Sequence, residues 1–171
     1  ASEQIYYFCI ESYRDSKMKK HGILVVGSSN LDMVVTTKRF PDPGETIFGN
    51  KFEMFPGGKG ANQAVCASRL GCKTTFIGKM GNDEFRDRLS QVMVESEVDI
   101  NNLFIDETEH TGTALITVDG NGQNQIIVIS GSNMKLSPDE IESKSFLFAD
   151  ASVVLAQLEI PLASVIKAAE L

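Results

Sequence analysis

The chain has 171 residues, of which 42% are hydrophobic and 23% are charged. That length suits one ordinary domain or one large α/β unit, and the composition excludes a disordered chain, a collagen and a disulfide scaffold. No window holds the ~18 consecutive apolar residues of a membrane span. The formal net charge of -7 argues against a nucleic-acid partner, because phosphate neutralisation needs a basic surface. We therefore expect a globular protein that binds neither membranes nor nucleic acid.

Cysteine usage indicates a reducing compartment. Cys9, Cys66 and Cys72 are odd in number, and no N-x-Ser/Thr acceptor sequence is present, so we expect a cytoplasmic location. The cysteines lack C-x-x-C spacing, and His21 and His110 lie far from them along the chain. We therefore expect no metal site.

The first 21 residues differ from the rest. They carry three acidic and four basic side chains, a net of +1, which leaves -8 for residues 22–171. They also lack the basic start and small-residue cleavage site of a signal peptide. We interpret residues 1–21 as a leader or fusion remnant, and the domain is predicted to begin at Gly22.

Apolar and β-branched runs, bounded by Gly, Pro and Asn, predict the strands. These runs are 23–26, 31–37, 46–55, 73–77, 113–118, 125–130 and 152–158. A helix is predicted over 59–70, with Gly71 just past its end, and another after an Asn82 cap. The capping box at 137–140 and Pro161 predict two further helix starts.

Core strands that alternate with helices predict an α/β fold, a mostly parallel sheet with helices on both faces. The strands within about 31–55 and 113–130 are surplus to that layout. Asp119-Gly120-Asn121-Gly122 is a strong hairpin signal between the last two of them. We expect these strands to form a smaller β layer to one side.

A glycine loop, Pro56-Gly57-Gly58-Lys59-Gly60-Ala61-Asn62, runs into the start of the first predicted helix. Glycines allow a ligand to approach the backbone, and a helix start presents unpaired N–H groups to oxygens. The spacing fits neither G-x-x-x-x-G-K-[ST] nor G-x-G-x-x-G, which disfavours a dinucleotide-binding oxidoreductase. The alternative is a tight strand-to-helix turn without a ligand.

Two further polar groups are predicted at strand ends. Asn30-Leu31-Asp32 follows the first core strand, and Glu159 follows the third. Ligands in open α/β sheets bind at such ends, although Asn and Asp are also ordinary turn residues and Glu159 also suits a helix start. Amides and carboxylates without a His, Cys or Ser base indicate recognition of a polyhydroxylated ligand.

Four ordered motifs resemble those of the ribokinase-like carbohydrate kinases. They are Gly27-Ser28-Ser29-Asn30-Leu31-Asp32, Phe40-Pro41-Asp42-Pro43-Gly44-Glu45-Thr46, Gly57-Gly58-Lys59-Gly60-Ala61-Asn62-Gln63-Ala64 and Gln157-Leu158-Glu159. The resemblance covers about residues 22–171. It implies a Rossmann-like ribokinase fold, incomplete here, with a small β-sheet lid.

The resemblance also implies roles for particular residues. Asn30, Asp32, Asn62 and Glu159 would bind sugar hydroxyls, Gly58, Lys59, Gly60 and Ala61 would wrap the sugar, and Ala114 and Ile116 would form an apolar wall. The lid would also pair with a second subunit, which predicts a homodimer.

The implied reaction is phosphorylation of D-ribose to ribose 5-phosphate by ATP, with Mg²⁺ and a monovalent cation, K⁺, in the complete enzyme. Family members are nearly twice this long, and their Gly-Ala-Gly-Asp signature, which carries the general-base Asp, has no match here, nor has their Asn-x-x-Glu magnesium motif. We therefore expect no catalytic residue, no bound cofactor and no turnover in this chain alone. Kinases of deoxyribose, fructose or a nucleoside, and a catalytically silent, truncated sugar-binding or dimerising chain, are the alternatives.

Overall fold

The computed structural model describes residues 22–171, so the interpretation of residues 1–21 lies outside the described part. The strands are β1 (Ile23–Val26), β2 (Asn30–Thr36), β3 (Lys51–Gly57), β4 (Thr74–Ile77), β5 (Lys79–Gly81), β6 (Val98–Asp99), β7 (Phe104–Asp106), β8 (Gly112–Val118), β9 (Asn124–Ile129) and β10 (Val153–Ala156). The helices are α1 (Lys59–Arg69), α2 (Glu84–Glu95), α3 (Pro138–Glu142), α4 (Ser145–Asp150) and α5 (Leu162–Glu170), with a 3-10 helix at Gly131–Lys135.

The predicted parallel sheet is confirmed. Its strand order is β10-β1-β4-β6, and every neighbouring pair is parallel. Alternate side chains of β1 enter two different cores, because successive strand residues point to opposite faces. Leu24 and Val26 pack with residues of α3, α4 and α5, whereas Val25 packs with residues of α1 and α2. Helices therefore cover both faces of the sheet.

The smaller β layer is also confirmed as a separate four-stranded sheet. Its order is β3-β2-β8-β9, with β2 and β8 parallel and the other two pairs antiparallel. The predicted hairpin joins β8 to β9, and the Asp119 carboxylate accepts hydrogen bonds from the backbone N–H groups of Asn121 and Gln123 within the turn. We refer to this sheet as the lid sheet.

Two strand predictions were wrong in detail. The strand predicted over 46–55 begins only at Lys51 and runs on to Gly57. It includes Pro56, which an edge strand tolerates because its missing N–H need not enter a ladder. The third core strand, predicted over 152–158, is limited to β10, which pairs only with β1 among the described strands. Val153 is accordingly 43% exposed, so β10 lies at the sheet edge rather than in the core.

One helix cap was also assigned to the wrong residue. Asp83, not Asn82, caps α2, because its carboxylate accepts from the backbone N–H of Arg86. The capping box between Ser137 and Glu140 is confirmed, and so is Gly71 as the left-handed residue beyond α1, with φ of 89°. No helix among the described residues is long and apolar enough to span a bilayer.

Candidate functional site

The site begins on the first strand of the lid sheet. Asn30 and Asp32 lie on β2, the strand predicted over 31–37, rather than at the end of β1, which stops at Val26. Two residues apart on a strand, their side chains point to the same face. Gly57 pairs with Asn30 in the neighbouring strand, and a Cβ at Gly57 would lie 2.4 Å from Oδ2 of Asp32. The Asp32 carboxylate therefore packs directly against the backbone of Gly57.

The glycine loop packs onto the segment between β1 and β2. Gly58 adopts φ of 87° and ψ of 133° at the start of α1, a conformation that excludes most side chains. A Cβ there would also lie 2.6 Å from the Cα of Ser29. The backbone N–H of Ala61 donates to the carbonyl of Ser28 at 2.9 Å, which fixes the start of α1 against this segment.

Glu159 closes the other side of the loop. Its carboxylate accepts from Oγ of Ser28 at 2.7 Å and from the backbone N–H of Lys59 at 3.3 Å, and it forms an ion pair with the Lys59 ammonium. Burial acts to raise the pKa of Glu159, but the hydrogen bonds from Lys59 and Ser28 outweigh it and lower the pKa. Glu159 is therefore ionised at neutral pH.

Asp32 has the opposite electrostatic environment. Burial, and then the negative charge of Glu159, raise the pKa of the Asp32 carboxyl above its ordinary value. The polar contacts found among residues 22–171 include no hydrogen bond and no ion pair to this carboxylate. A half-buried carboxylate without a protein partner is a candidate acceptor for a ligand hydroxyl.

The remaining predicted residues lie on β8 and at the start of α1. Ala114 is buried and pairs with Asp32 across β2 and β8, and Ile116, half-buried, lies two residues further along the same face. Gly60 donates its N–H to Oγ of Ser28 at 3.4 Å. Asn62 lies exposed in the first turn of α1, and its backbone N–H donates to the carbonyl of Gly58 at 2.9 Å.

Two further residues, Ser28 and Asn133, hold the site together and were not predicted. Ser28 joins the glycine loop to Glu159, and Asn133 is hydrogen-bonded to Ser29 and Asn30. Ser28 stands inside a motif that was noticed, but its partners lie 32 and 131 residues away in sequence. Asn133 follows β9 as an ordinary polar residue, and nothing local marks it.

The site combines hydrogen-bond acceptors and donors. Two carboxylates, an amide and backbone N–H groups meet without a Cys or His nucleophile and base. Among residues 22–171, no group of three or more His, Cys, Asp or Glu side chains is placed to hold a metal ion.

Comparisons with known proteins agree with this description. The family profile described as "pfkB family carbohydrate kinase" matches residues 20–171. The bifunctional ribokinase/ribose-5-phosphate isomerase A of Fructilactobacillus sanfranciscensis is 42% identical over 152 residues, which cover 88% of this chain and 28% of that protein. The ribokinase of Staphylococcus aureus is 36% identical over 150 residues, which cover 87% of this chain and 49% of that protein.

A solved structure shows the same arrangement of elements. Arabidopsis thaliana ribokinase, complexed with ribose and ATP, matches with a TM-score of 0.79 and 34% identity, over 89% of this chain and 50% of that one. The chain thus spans about half the length of the ribokinases it matches. With the profile matching most of its length, the chain belongs to the pfkB family of carbohydrate kinases.

Proposed function

We propose that this chain is the sugar-binding part of a ribokinase, which transfers a phosphoryl group from ATP to O5 of D-ribose. The observation that carries the proposal is the unpartnered carboxylate of Asp32, held on the backbone of Gly57 close to ion-paired Glu159. Related ribokinases match along 81–88% of the chain, and the structure of one of them holds ribose and ATP. A neutral sugar suits this site, because each of its hydroxyls needs both donors and acceptors.

The proposed roles follow the positions of the side chains. Asp32 and Glu159 accept hydrogen bonds from sugar hydroxyls, while Asn30 and Asn62 bind further hydroxyls. The loop from Gly58 through Lys59, Gly60 and Ala61 wraps one side of the ring, and Ala114 and Ile116 supply an apolar wall on the same face of the lid sheet as Asp32.

The described residues do not fit the cofactors that the family implies. They supply no metal-ligand cluster and no phosphate-binding loop of known spacing. We therefore propose that ATP, Mg²⁺ and a monovalent cation act with the complete enzyme, that its general-base Asp lies outside residues 22–171, and that this chain alone shows no turnover. The odd number of cysteines supports a cytoplasmic enzyme.

The lid sheet is also the proposed dimer interface. Phe52, Leu115 and Ile127 are exposed on the lid face opposite to Asp32, by the alternation of strand residues. Apolar side chains grouped on one exposed sheet face usually mark a protein interface. A second copy of the chain, using the same face, would cover them.

A coupled assay of ADP release tests the proposal. The full-length gene product is given ATP and one phosphoryl acceptor at a time, namely D-ribose, 2-deoxy-D-ribose, D-fructose or the nucleoside adenosine, with D-arabinose as the epimer control. We expect the highest kcat/KM with D-ribose. A preference for another sugar would assign the chain to a different kinase of the family, and ribose-dependent ADP release by the 171-residue chain alone would contradict its proposed inactivity.

Calorimetric titration of D-ribose separates binding from turnover. Binding without any ADP release from the full-length gene product would favour the second candidate, a catalytically silent sugar-binding chain. If none of the four acceptors bound to the protein, both candidate functions would be overturned.

A further inference from the structure

Asn133, on the 3-10 helix after β9, is buried, and its side-chain amide makes all its hydrogen bonds to the segment that carries Asn30. Its Oδ1 accepts from the backbone N–H of Ser29 at 2.9 Å, and its Nδ2 donates to the carbonyl of Ser29 at 3.1 Å and to Oδ1 of Asn30 at 2.8 Å. Only 1% of Asn133 is exposed. Asn133 therefore touches the proposed sugar-binding residue but lies behind it.

We propose that Asn133 is a positioning residue, which fixes the side-chain amide of Asn30 with its NH₂ group directed to the sugar. The inference rests on the proposed function of the site. It adds that the site discriminates hydroxyls by the polarity of Asn30, and that a residue outside all the sugar-binding motifs sets this polarity.

The polarity is fixed by the backbone of Ser29. A backbone N–H can only donate and a backbone carbonyl can only accept, so the contacts to Ser29 determine which end of the Asn133 amide is oxygen and which is nitrogen. The nitrogen end of Asn133 then faces Asn30, which must offer its oxygen in return. The NH₂ group of Asn30 is left for a partner outside the described residues.

The two amides meet directly over the backbone of Gly112. A Cβ at Gly112 would lie 2.2 Å from Nδ2 of Asn133 and 2.2 Å from Oδ1 of Asn30. The hydrogen bond between the two amides thus occupies the space that a side chain at position 112 would need. An Asn30 amide turned by 180° would place two NH₂ groups against each other, which costs a buried hydrogen bond.

A fixed donor matters because of the other groups in the site. A sugar hydroxyl has one hydrogen and two lone pairs. Asp32 and Glu159 are acceptors and take hydroxyl hydrogens, so the lone pairs that remain need donors. Asn30 supplies such a donor only while Asn133 holds its oxygen on the far side.

The first test is Asn133→Asp, which keeps the shape of the side chain but replaces the donating nitrogen by an oxygen. Asn30 is then expected to turn its NH₂ group toward residue 133 and its oxygen toward the sugar. We expect the Kd for D-ribose, measured by calorimetry on the full-length gene product, to rise about 10- to 100-fold. Thermal unfolding of the same sample shows whether the variant is folded.

Monodeoxy analogues of ribose distinguish polarity from a general loss of structure. The analogue that lacks the hydroxyl bound by Asn30 should bind wild type and Asn133→Asp with nearly equal Kd. The other analogues should bind Asn133→Asp with the same rise in Kd as D-ribose does. An equal loss for every analogue would mean that Asn133 is merely structural, and would overturn the proposal.

A second variant, Asn30→Asp, tests the same polarity without changing the buried residue. One carboxylate oxygen still accepts from Asn133, and the other replaces the NH₂ group that faces the sugar. The analogue that lacks the hydroxyl bound by Asn30 is expected to bind Asn30→Asp and wild type with nearly equal Kd. If Asn133→Asp fails to fold, this result tests the polarity of Asn30 in its place. Wild-type affinity of Asn30→Asp for ribose would overturn the inference, whereas a wild-type protein that binds no sugar would overturn the proposed function and the inference with it.

Discussion

The Glu159 carboxylate is ion-paired with Lys59, yet its charge still raises the pKa of Asp32, second only to burial. The two acidic groups therefore titrate differently, since hydrogen bonds lower the pKa of Glu159 below its ordinary value. At neutral pH the site presents two acceptors. As the pH falls, Asp32 becomes neutral at a higher pH than an ordinary aspartate, and Glu159 at a lower pH than an ordinary glutamate.

This difference predicts the pH dependence of sugar binding. An ionised Asp32 accepts a hydroxyl hydrogen more strongly than a neutral one, so affinity is lost as the pH falls through the pKa of Asp32. Because that pKa is raised, the loss begins at a higher pH than for an ordinary aspartate, whose pKa is 3.8. Calorimetric titration of ribose over a pH series measures this loss of affinity and its midpoint. Glu159→Gln removes the neighbouring charge and should move the midpoint to lower pH; an unchanged midpoint would contradict the coupling.

Asp32→Asn tests the same carboxylate by mutation. We expect the Kd for ribose to rise about 10- to 100-fold, since a charge-assisted hydrogen bond is lost. Asp32→Asn is not expected to weaken the fold as it weakens ribose binding. A carboxyl group with a raised folded-state pKa disfavours folding when ionised, and this cost disappears as the pH falls or when the group is replaced by an amide. The free energy of unfolding at neutral pH should therefore not fall.

Steady-state kinetics provide the control for Asp32→Asn. The KM for ribose should rise while the KM for ATP stays close to wild type, because Asp32 is proposed to bind the sugar and not the nucleotide. Asp150→Asn, at the exposed end of α4, is a matched change of charge outside the site and should alter neither value. An equal rise in the KM for ribose and in the KM for ATP would count against the proposed role of Asp32 in sugar binding.

Local sequence signals predicted most of the elements. The capping box at Ser137, the hairpin at Asp119 and the glycine after α1 depend on neighbours within a few residues, and all three were found. The edge position of β10 was missed, because an apolar run of four to eight residues has the same appearance in the centre and at the edge of a sheet.

The site was predicted less completely, for a related reason. Its motifs identify Asp32, Glu159 and the glycine loop, but Asn133 reaches Ser29 across 104 residues of sequence. No periodicity or spacing encodes such a contact. Only the fold, which places the 3-10 helix behind β2, shows that Asn133 belongs to the site.

Gly58 and Gly71, at the two ends of α1, offer a matched pair of substitutions. Their φ angles are 87° and 89°, so an alanine is disfavoured at both. A Cβ at Gly71 meets nothing within 4 Å, whereas one at Gly58 lies 2.6 Å from Ser29. Gly71→Ala should therefore cost about 1 kcal/mol of unfolding free energy and leave ribose binding unchanged. Gly58→Ala should cost more, at least about 2 kcal/mol, and abolish binding.

Thermal and chemical unfolding, with ribose titration of each variant, check this pair. If both variants lost about the same unfolding free energy, the φ angle alone would determine the cost of the alanine. The close approach of Gly58 to Ser29 would then be unimportant. Loss of stability at Gly58 with wild-type ribose affinity would remove the glycine loop from the sugar site.

The proposed dimer is tested on the exposed lid face. Leu115 and Ile127 pair across β8 and β9 and are 44% and 65% exposed. Replacing both by glutamate places two buried charges in an apolar interface, which should weaken dimerisation at least about 100-fold. Val94→Glu, at an exposed position near the end of α2, is the control and should leave the dimer intact. Sedimentation equilibrium measures the mass, and a wild-type protein with the mass of one chain at every concentration would refute the dimer.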